Sequence, residues 1–486
     1  MKTLQIHPLD NVAVALTDIS AGEGVAVESV PAAHKISLRA IAKGEPIIKY
    51  GHPIGAATVD IPAGHWVHVH NVATLLGDAV EYEYQPVILP QTELEPSTFK
   101  GYRRSDGRVG IRNEIWIIPT VGCVNRNAEL IAMEATRQFG IMPNVDGIYA
   151  FPHPYGCSQM GDDQLQTQQI LANLVRHPNA GGVLILGLGC ENNNIAEFKK
   201  ILGEWDPDRV KFVESQSVDD EITAGVEAIE QLVVHAAKTA RSLCPVSELV
   251  IGLKCGGSDA FSGITANPLV GKISDLMIAM GGSAVLSEVP EMFGAETLLM
   301  ARARDEAIFH KIVAMINDFK QYYQAHNQVI YDNPSPGNKK GGISTLEDKS
   351  LGCIQKGGSS TVVDVLPYVG CVKEKGLSLL SGPGNDLVAI TALAAAGCQL
   401  ILFTTGRGTP LGTLVPTLKI ASNEALFHQK TRWMDFNAGR LLTGTSVEQL
   451  MTELFELVLI TASGAKSKSE LMGSREFTIF KDGVTL

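Results

Sequence analysis

From residue 113 onward, short apolar runs alternate with stretches of helical length, and this pattern commits most of the chain to parallel βαβ units. "EIWIIPT" precedes "RNAELIAMEATRQFG", "VDGIYAF" precedes "QLQTQQILANLVRH", "GGVLILGLG" precedes "NNNIAEFKKILGEW", and "RVKFVES" precedes a long helical pattern through residue 243. A second block opens at "ELVIGLK" and continues through "SAVLSEVPE", "LSLLSGPG", "QLILFTTG" and "TLKIASN". Parallel strands need a crossover of helical length between them, so α/β is the fold class this spacing predicts. The first eighty residues differ: short β segments separated by Gly, Pro and Asp turns read as a small all-β module. The expected organisation is therefore a β module over 1–80, an extended linker over 81–100, a middle α/β domain over 101–246 and a C-terminal α/β domain over 247–486.

At 486 residues the chain is too long for one core, and 48 glycines suit an α/β protein with many working loops. The net charge of −12 argues against a nucleic-acid or anionic-membrane surface. No apolar run approaches the roughly 20 residues of a membrane span, and no secretory apolar segment forms at the start, so a cytoplasmic protein is expected. Eight cysteines in that compartment point to packing, catalysis or metal binding rather than disulfides.

In open parallel sheets, ligands bind beyond the carboxyl ends of the strands. Four cysteines fall there: Cys123 after "IIPTVG", Cys157 after "YAFPHPYG", Cys190 after "LILGLG" and Cys255 closing "VIGLK". Their soft thiolates suit iron, zinc or an iron–sulfur cluster, in a site assembled from distant strands because no short C-x-x-C occurs. His153 and Glu191 stand close enough in sequence to add harder ligands. The remaining strand ends carry glycine-rich polar loops fit for carboxylates and hydroxyls. No complete dinucleotide fingerprint or Walker A loop follows any strand. "GYRRSDGRVGIRN" concentrates arginines in an acidic chain, and "GHWVHVHN", read as a strand, puts His68 and His70 on one face.

The blocks "GYRRSDGRVGIRNEIWIIPTVGCVN", "HPYGCSQMGDD", "CGGSDAFSGITANP", "EVPEMFGAE", "NPSPGNKKGGISTLEDKSLG" and "TTGRGTP" together resemble the defining segments of the altronate/galactarate dehydratase family, along essentially the whole chain. The resemblance implies a β-clip (SAF-like) N-terminal domain, a middle domain mediating a homodimer and a Rossmann-like C-terminal domain. It also implies an iron-dependent hydro-lyase, holding Fe2+ or an iron–sulfur cluster, that converts D-altronate to 2-dehydro-3-deoxy-D-gluconate and water, with galactarate as the alternative substrate. For a dehydration of that kind, His68 and His70, paired by their strand spacing, are expected as an acid/base pair on a lid, with Lys339 as a competing base. Ser258, Asp259, Thr265 and Asn267 are expected to bind substrate hydroxyls or complete the metal shell; Arg104, Arg112 and Arg407 are expected to hold the carboxylate. Cys123, Cys157, Cys190 and Cys255 are the expected metal ligands, gathered at one rim. A nicotinamide-dependent dehydrogenase and a non-catalytic sugar-acid binding protein are the rival classes.

Overall fold

The computed structural model describes residues 2–77, 81–87, 89–90, 92–140 and 142–483. The expected boundary at residue 80 falls outside them. Short antiparallel strands build the N-terminal module as two small sheets. One runs in the order Thr3–Leu4, Val12–Ala15, Lys35–Ser37, Trp66–Val67; the other in the order Pro46–Lys49, His52–Ala57, Val72–Ala73. The described residues between 81 and 97 have no regular structure but are tied down along the C-terminal block: the Val87 amide donates to the Ala301 carbonyl and the Tyr84 hydroxyl to the Ala303 carbonyl.

The middle block is a four-stranded parallel sheet in the order Gly147–Ala150, Glu114–Pro119, Ala180–Gly187, Val210–Glu214. All eight residues of Ala180–Gly187 are buried, which is why "AGGVLILG" reads as an unbroken small and apolar run rather than an alternation. Helices Asn125–Phe139 and Glu221–Ala236 cover one face, while Gly161–Val175 and Ile195–Leu202 cover the other. The strand Ser242–Pro245 returns to pair antiparallel with Thr98–Arg103.

Seven parallel strands form the C-terminal sheet, ordered Val362–Leu366, Leu377–Leu380, Ser283–Leu286, Val250–Cys255, Leu400–Thr405, Thr417–Ala421, Phe436–Asn437. The chain starts in the centre, adds Ser283–Leu286 beside it, lays down the edge strand Val362–Leu366, fills the gap with Leu377–Leu380, then crosses to build the other side outward. Its topological switch point lies between Val250–Cys255 and Leu400–Thr405, where the loops leaving neighbouring strands diverge and open a crevice at their carboxyl ends. Arg112, 1% exposed, clamps the middle block to the C-terminal one: it makes two bonds to Glu470, at 2.8 and 3.0 Å, and donates to the Thr461 and Ala465 carbonyls.

Two buried histidines brace this assembly, His177 between the two blocks and His153 within the middle one. The ring of His177 accepts from the Asn179 amide at Nδ1 and donates from Nε2 to the Cys398 carbonyl; His153 accepts from the Tyr155 amide and donates to the Pro119 carbonyl. One acceptor and one donor nitrogen define a neutral imidazole. Burial pushes His177 down to about 3 and His153 down to about 4. Above about pH 6.5 neither folded nor unfolded ring is charged; below it only the unfolded ring takes a proton, so stability falls as the pH drops toward 4. We predict that lowering the pH from 7 to 5 costs about 2 kcal/mol per histidine in urea unfolding, and that His177→Gln flattens this dependence. An unfolding midpoint unchanged between pH 7 and 5 would contradict it.

Candidate active site

The switch point is closed from above by the N-terminal module. Its strands carry Lys35 and Lys49, both buried, whose ammonium groups meet opposite oxygens of Asp348 at 2.8 and 2.9 Å. Burial alone would raise the Asp348 carboxyl; the two ammonium groups outweigh it and hold it well below the usual range. For Lys35, burial wins and lowers it to about 8. Asp348 also accepts from the Ser344 amide at 3.0 Å. Its helix, Leu346–Cys353, has every residue buried. The module grips that helix further through Thr345, which donates to the Ile54 carbonyl, and Glu347, which accepts from the Thr74 hydroxyl and the Leu75 amide.

Beneath the helix lies a closed cavity of about 10 Å³, room for a single water, lined by Lys49, Tyr50, Ser258, Asn267, Lys349 and Cys353, among others. Tyr50 reaches it because residue 263 is glycine: a Cβ there would stand 2.2 Å from the Tyr50 hydroxyl. Burial raises that hydroxyl to about 12, so it stays protonated. Ser258, 2% exposed, has a hydroxyl with no protein partner, a free polar group on the wall of the cavity.

Cys353 links the cavity to a denser cluster. Its sulfur is 3.4 Å from that of Cys255, and both lie near Glu291 Oε2, at 3.3 and 3.1 Å. These three buried residues offer ligand atoms all within 4.8 Å of one another. Lys356 donates to Cys255 at 2.9 Å, Lys349 pairs with the other oxygen of Glu291 at 2.7 Å, and Lys254 bridges Glu288 and Asp386. The hydrogen bond from Cys353, helped by Lys356 and Lys254, lowers the Cys255 thiol to about 6 against the opposing effect of burial. That same bond raises Cys353, burial adding to it, and burial beside Glu291 raises Glu288. Three lysines thus face two thiols and three carboxyls; with every acid ionised, two negative charges are left over, the charge of one divalent cation. Two thiolates and a carboxylate are a donor set suited to a soft or borderline ion such as ferrous iron or zinc. Glu288 holds its position with a left-handed backbone, φ 73°, a conformation that costs a non-glycine residue of order 1 kcal/mol or more and collects at functional sites.

The expected residues divide by what they touch. Cys255 is in the cluster. Cys123, Cys157 and Cys190 are not: they are exposed at the rim of the middle sheet, so the four cysteines do not gather around one centre. Ser258 and Asn267 line the cavity, and Asp259 stands beside them. Asp259 is spent on Ser262, Ser422 and Asn423, and Thr265 on the Phe261 and Ser422 carbonyls, so both hold the loop rather than face a ligand. Asn267 likewise bonds the Gly352 carbonyl and Thr404.

Arg104 gives its donors to the Pro178 and Arg112 carbonyls and Asn113, and Arg112 gives its own to Glu470 and carbonyls, which removes both from carboxylate binding. Arg407 is exposed at the crevice rim, its amide bonded to the Gly257 carbonyl; Lys339 lies half-buried in the neighbouring turn Pro336–Lys340. His68 and His70 do not share a strand face. The strand ends at Val67, Asn71 closes a turn by accepting from the His68 amide and donating to the Trp66 carbonyl, and His70 points to solvent. His68 is buried, with Nδ1 3.4 Å from the Ser344 hydroxyl. His153 and Glu191 serve the middle block as struts. Cys353, Glu288, Glu291, Lys49 and Tyr50 were not legible as site residues; the one signal was that Glu288 and Glu291 sit in a strand-end loop.

A β module closing a sulfur- and carboxylate-lined crevice on a doubly wound sheet matches a known class along its whole length. The altronate/galactarate dehydratase SAF domain matches residues 1–75, the D-galactarate dehydratase/altronate hydrolase second domain residues 101–237, and the D-galactarate/altronate dehydratase C-terminal domain residues 246–485. The chain belongs to this dehydratase family. It is 54% identical to an altronate dehydratase of Bacillus subtilis over 99% of both chains, and 53% identical to one of Escherichia coli over the full length of both. A galactarate dehydratase (L-threo-forming) of Escherichia coli is more distant, 35% identical over 95% of this chain and 93% of its own.

Asp348→Ala leaves two buried ammonium groups without a counter-charge, so we expect a loss of about 3–5 kcal/mol in urea unfolding and faster proteolytic release of the N-terminal module. A variant as stable and as protease-resistant as the parent would show that the ion triad does not hold the lid.

Proposed function

We propose that the chain dehydrates D-altronate to 2-dehydro-3-deoxy-D-gluconate, with a ferrous ion held by Cys255, Glu291 and Cys353. One observation carries the reading: a buried two-thiol, one-carboxylate cluster short of two positive charges shares Cys353 with a polar cavity at the sheet's switch point. The full-length likeness to altronate dehydratases supports the substrate, and the lower identity to the galactarate enzyme makes galactarate the second choice. Bound there, the ion would supply Lewis acidity that stabilises negative charge developing at the substrate's carboxylate end.

Dehydration of a 2,3-dihydroxy acid breaks the C2–H and C3–O bonds, and the resulting enol tautomerises to the 2-keto acid while the hydroxyl leaves as water. The chain's residues divide this work. Arg407 at the rim attracts the carboxylate, and when the module lifts to admit the substrate the unpartnered Ser258 hydroxyl takes a substrate hydroxyl. Tyr50, protonated at every working pH, is placed to donate to the departing C3 oxygen. His68 is the proton acceptor. Burial, with Lys35 beside it, lowers that imidazole to about 3, so it is neutral as a base must be; an incoming carboxylate offsets Lys35 and raises its basicity. The closed module excludes water from the elimination.

With D-altronate and galactarate assayed in parallel on anaerobically prepared enzyme, formation of the 2-keto-3-deoxy acid should be faster from altronate. Tyr50→Phe and His68→Gln should each lower kcat by about 100-fold or more with iron retained, whereas Cys353→Ala and Glu291→Gln should lose iron and activity together. Undiminished turnover in Cys353→Ala would refute the assignment.

A further inference from the structure

Of the arginines concentrated in "GYRRSDGRVGIRN", Arg104 and Arg112 are taken up by interior carbonyls, whereas Arg108 is exposed. It sits in the turn that joins Thr98–Arg103 to Val109–Gly110, and among the described residues its guanidinium bonds only Asp106, itself exposed. That turn forms part of the wall of a cleft of about 460 Å³ between the middle and C-terminal blocks. Val250 and Ser283, each the first residue of its strand, line the cleft. The candidate active site lies at the other end of the same strand, at Cys255, roughly 17 Å away at about 3.3 Å per residue. The two sites therefore stand at opposite ends of one sheet.

Bonds that cross between the blocks hold the cleft in shape. Gln399, 2% exposed, donates to the Val109 and Glu248 carbonyls at 2.8 and 2.9 Å and accepts from the Val250 amide. Asn173 donates to the Val369 carbonyl at 2.9 Å, and the His177 ring to that of Cys398. Gly110 lets the hairpin settle on the floor, since a Cβ there would stand 2.1 Å from the Pro178 carbonyl oxygen. A ligand would meet a shape already made, with little ordering left to do.

The lining carries an excess of positive charge. Arg108 and Arg176 come from the middle block, Lys373 and Lys375 from the C-terminal one, and these four cations face two carboxylates, Glu248 and Glu374. Two positive charges are left over, in a chain whose net charge is −12. Glu374 is also drawn toward Arg304, which does not line the cleft, at 3.7 Å. Arg176 donates to the Ile201 and Leu202 carbonyls and Lys375 to that of Ser247, partners that leave their charge intact. Burial raises the Cys371 thiol in the cleft wall, while Arg176, Arg108 and Lys373 all pull it down, so three of the cations converge on one side chain. Beside the two lysines, the amides of Lys373, Glu374 and Lys375 make no backbone hydrogen bond among the described residues, and successive free amides are donors of the kind that hold oxyanions.

Charge and size select the ligand. A phosphate monoester carries about −1.5 to −2 near neutral pH and offers three oxygens to guanidinium and ammonium donors, where a single carboxylate would balance only half of the excess. We propose that this cleft binds the phosphate group of a small phosphorylated metabolite, of the size of a sugar or sugar-acid phosphate, and that the bound ligand ties the two α/β blocks together. The proposal does not depend on which sugar acid the enzyme dehydrates. Free phosphate carries the same group, and the test separates the two sources.

Full-length protein is titrated by calorimetry at low ionic strength with D-gluconate 6-phosphate, inorganic phosphate and D-gluconate. The phosphate ester should bind at least about tenfold more tightly than D-gluconate, raise the midpoint of thermal unfolding and lose affinity as salt is added. Inorganic phosphate binding as tightly as the ester would identify the free ion as the ligand, and weaker binding would identify the ester. The double variant Arg108→Ala, Lys373→Ala removes two exposed cations and with them the excess; it should keep the unliganded unfolding midpoint and lose about tenfold or more in affinity for the phosphorylated ligand. Lys373→Glu alone should weaken binding in the same direction. Equal affinity for D-gluconate and its phosphate, no measurable binding of either phosphate, or undiminished affinity in both variants would each overturn the proposal. Altronate turnover, measured separately, reports on the proposed function and not on this site.

Discussion

Asp348, caught between Lys35 and Lys49, is the contact on which the arrangement of the candidate site depends. The helix that bears it is eight residues long and wholly buried, too short to persist on its own propensity. Its position comes from two sides: the N-terminal module through the lysines, Ile54 and Thr74, and the C-terminal block through Asn267 at the start of the helix Ala266–Ala279, whose amide reaches the Gly352 carbonyl. The same helix presents Lys349 to the cavity and Cys353 to the thiol cluster. A buried ion pair of this kind adds little net stability over an apolar contact of equal volume; here it fixes how the module sits on the crevice, because each lysine takes its own oxygen of one carboxylate.

Below that contact, charge is balanced on a second level. The lysines at 254, 349 and 356 would each be costly to bury alone, and so would the acids they face. Packed together they pay for one another in part, and the remaining deficit is left to two protons or one cation. The protons sit where the local field places them, on Glu288 and Cys353, both of which are raised. A site that exchanges protons for a metal ion is the ordinary form of coupling between metal binding and ionisation.

Much of the fold was readable because each α/β strand is a buried apolar run with a helix after it, and Cys255 was readable because it ends such a run. Cys353 was not, since it lies inside a helix 98 residues further on and meets Cys255 only through the packing of that helix. Lys49 and Tyr50 close an unremarkable "PIIKY", and nothing local tells a buried lysine on a strand from an exposed one. The arginines misled for a related reason: a guanidinium looks the same in sequence whether its donors meet a substrate carboxylate or, as at Arg104 and Arg112, the protein's own carbonyls. His68 and His70 were separated by Asn71, whose side chain mimics a backbone turn and ends the alternation that would have kept them on one face.

Sequence alone determined the βαβ character of the chain from residue 113 onward, the all-β start, and the delivery of one cysteine to each of four strand ends, because those properties follow from local periodicity and from which side chains a strand or helix can bury. Tertiary structure decided which of those cysteines meet. Three stay on the middle sheet and one joins a helix thiol, two glutamates and a ring of lysines on the other sheet, since convergence depends on strand order and on how the module docks, and neither is written in the spacing of residues along the chain.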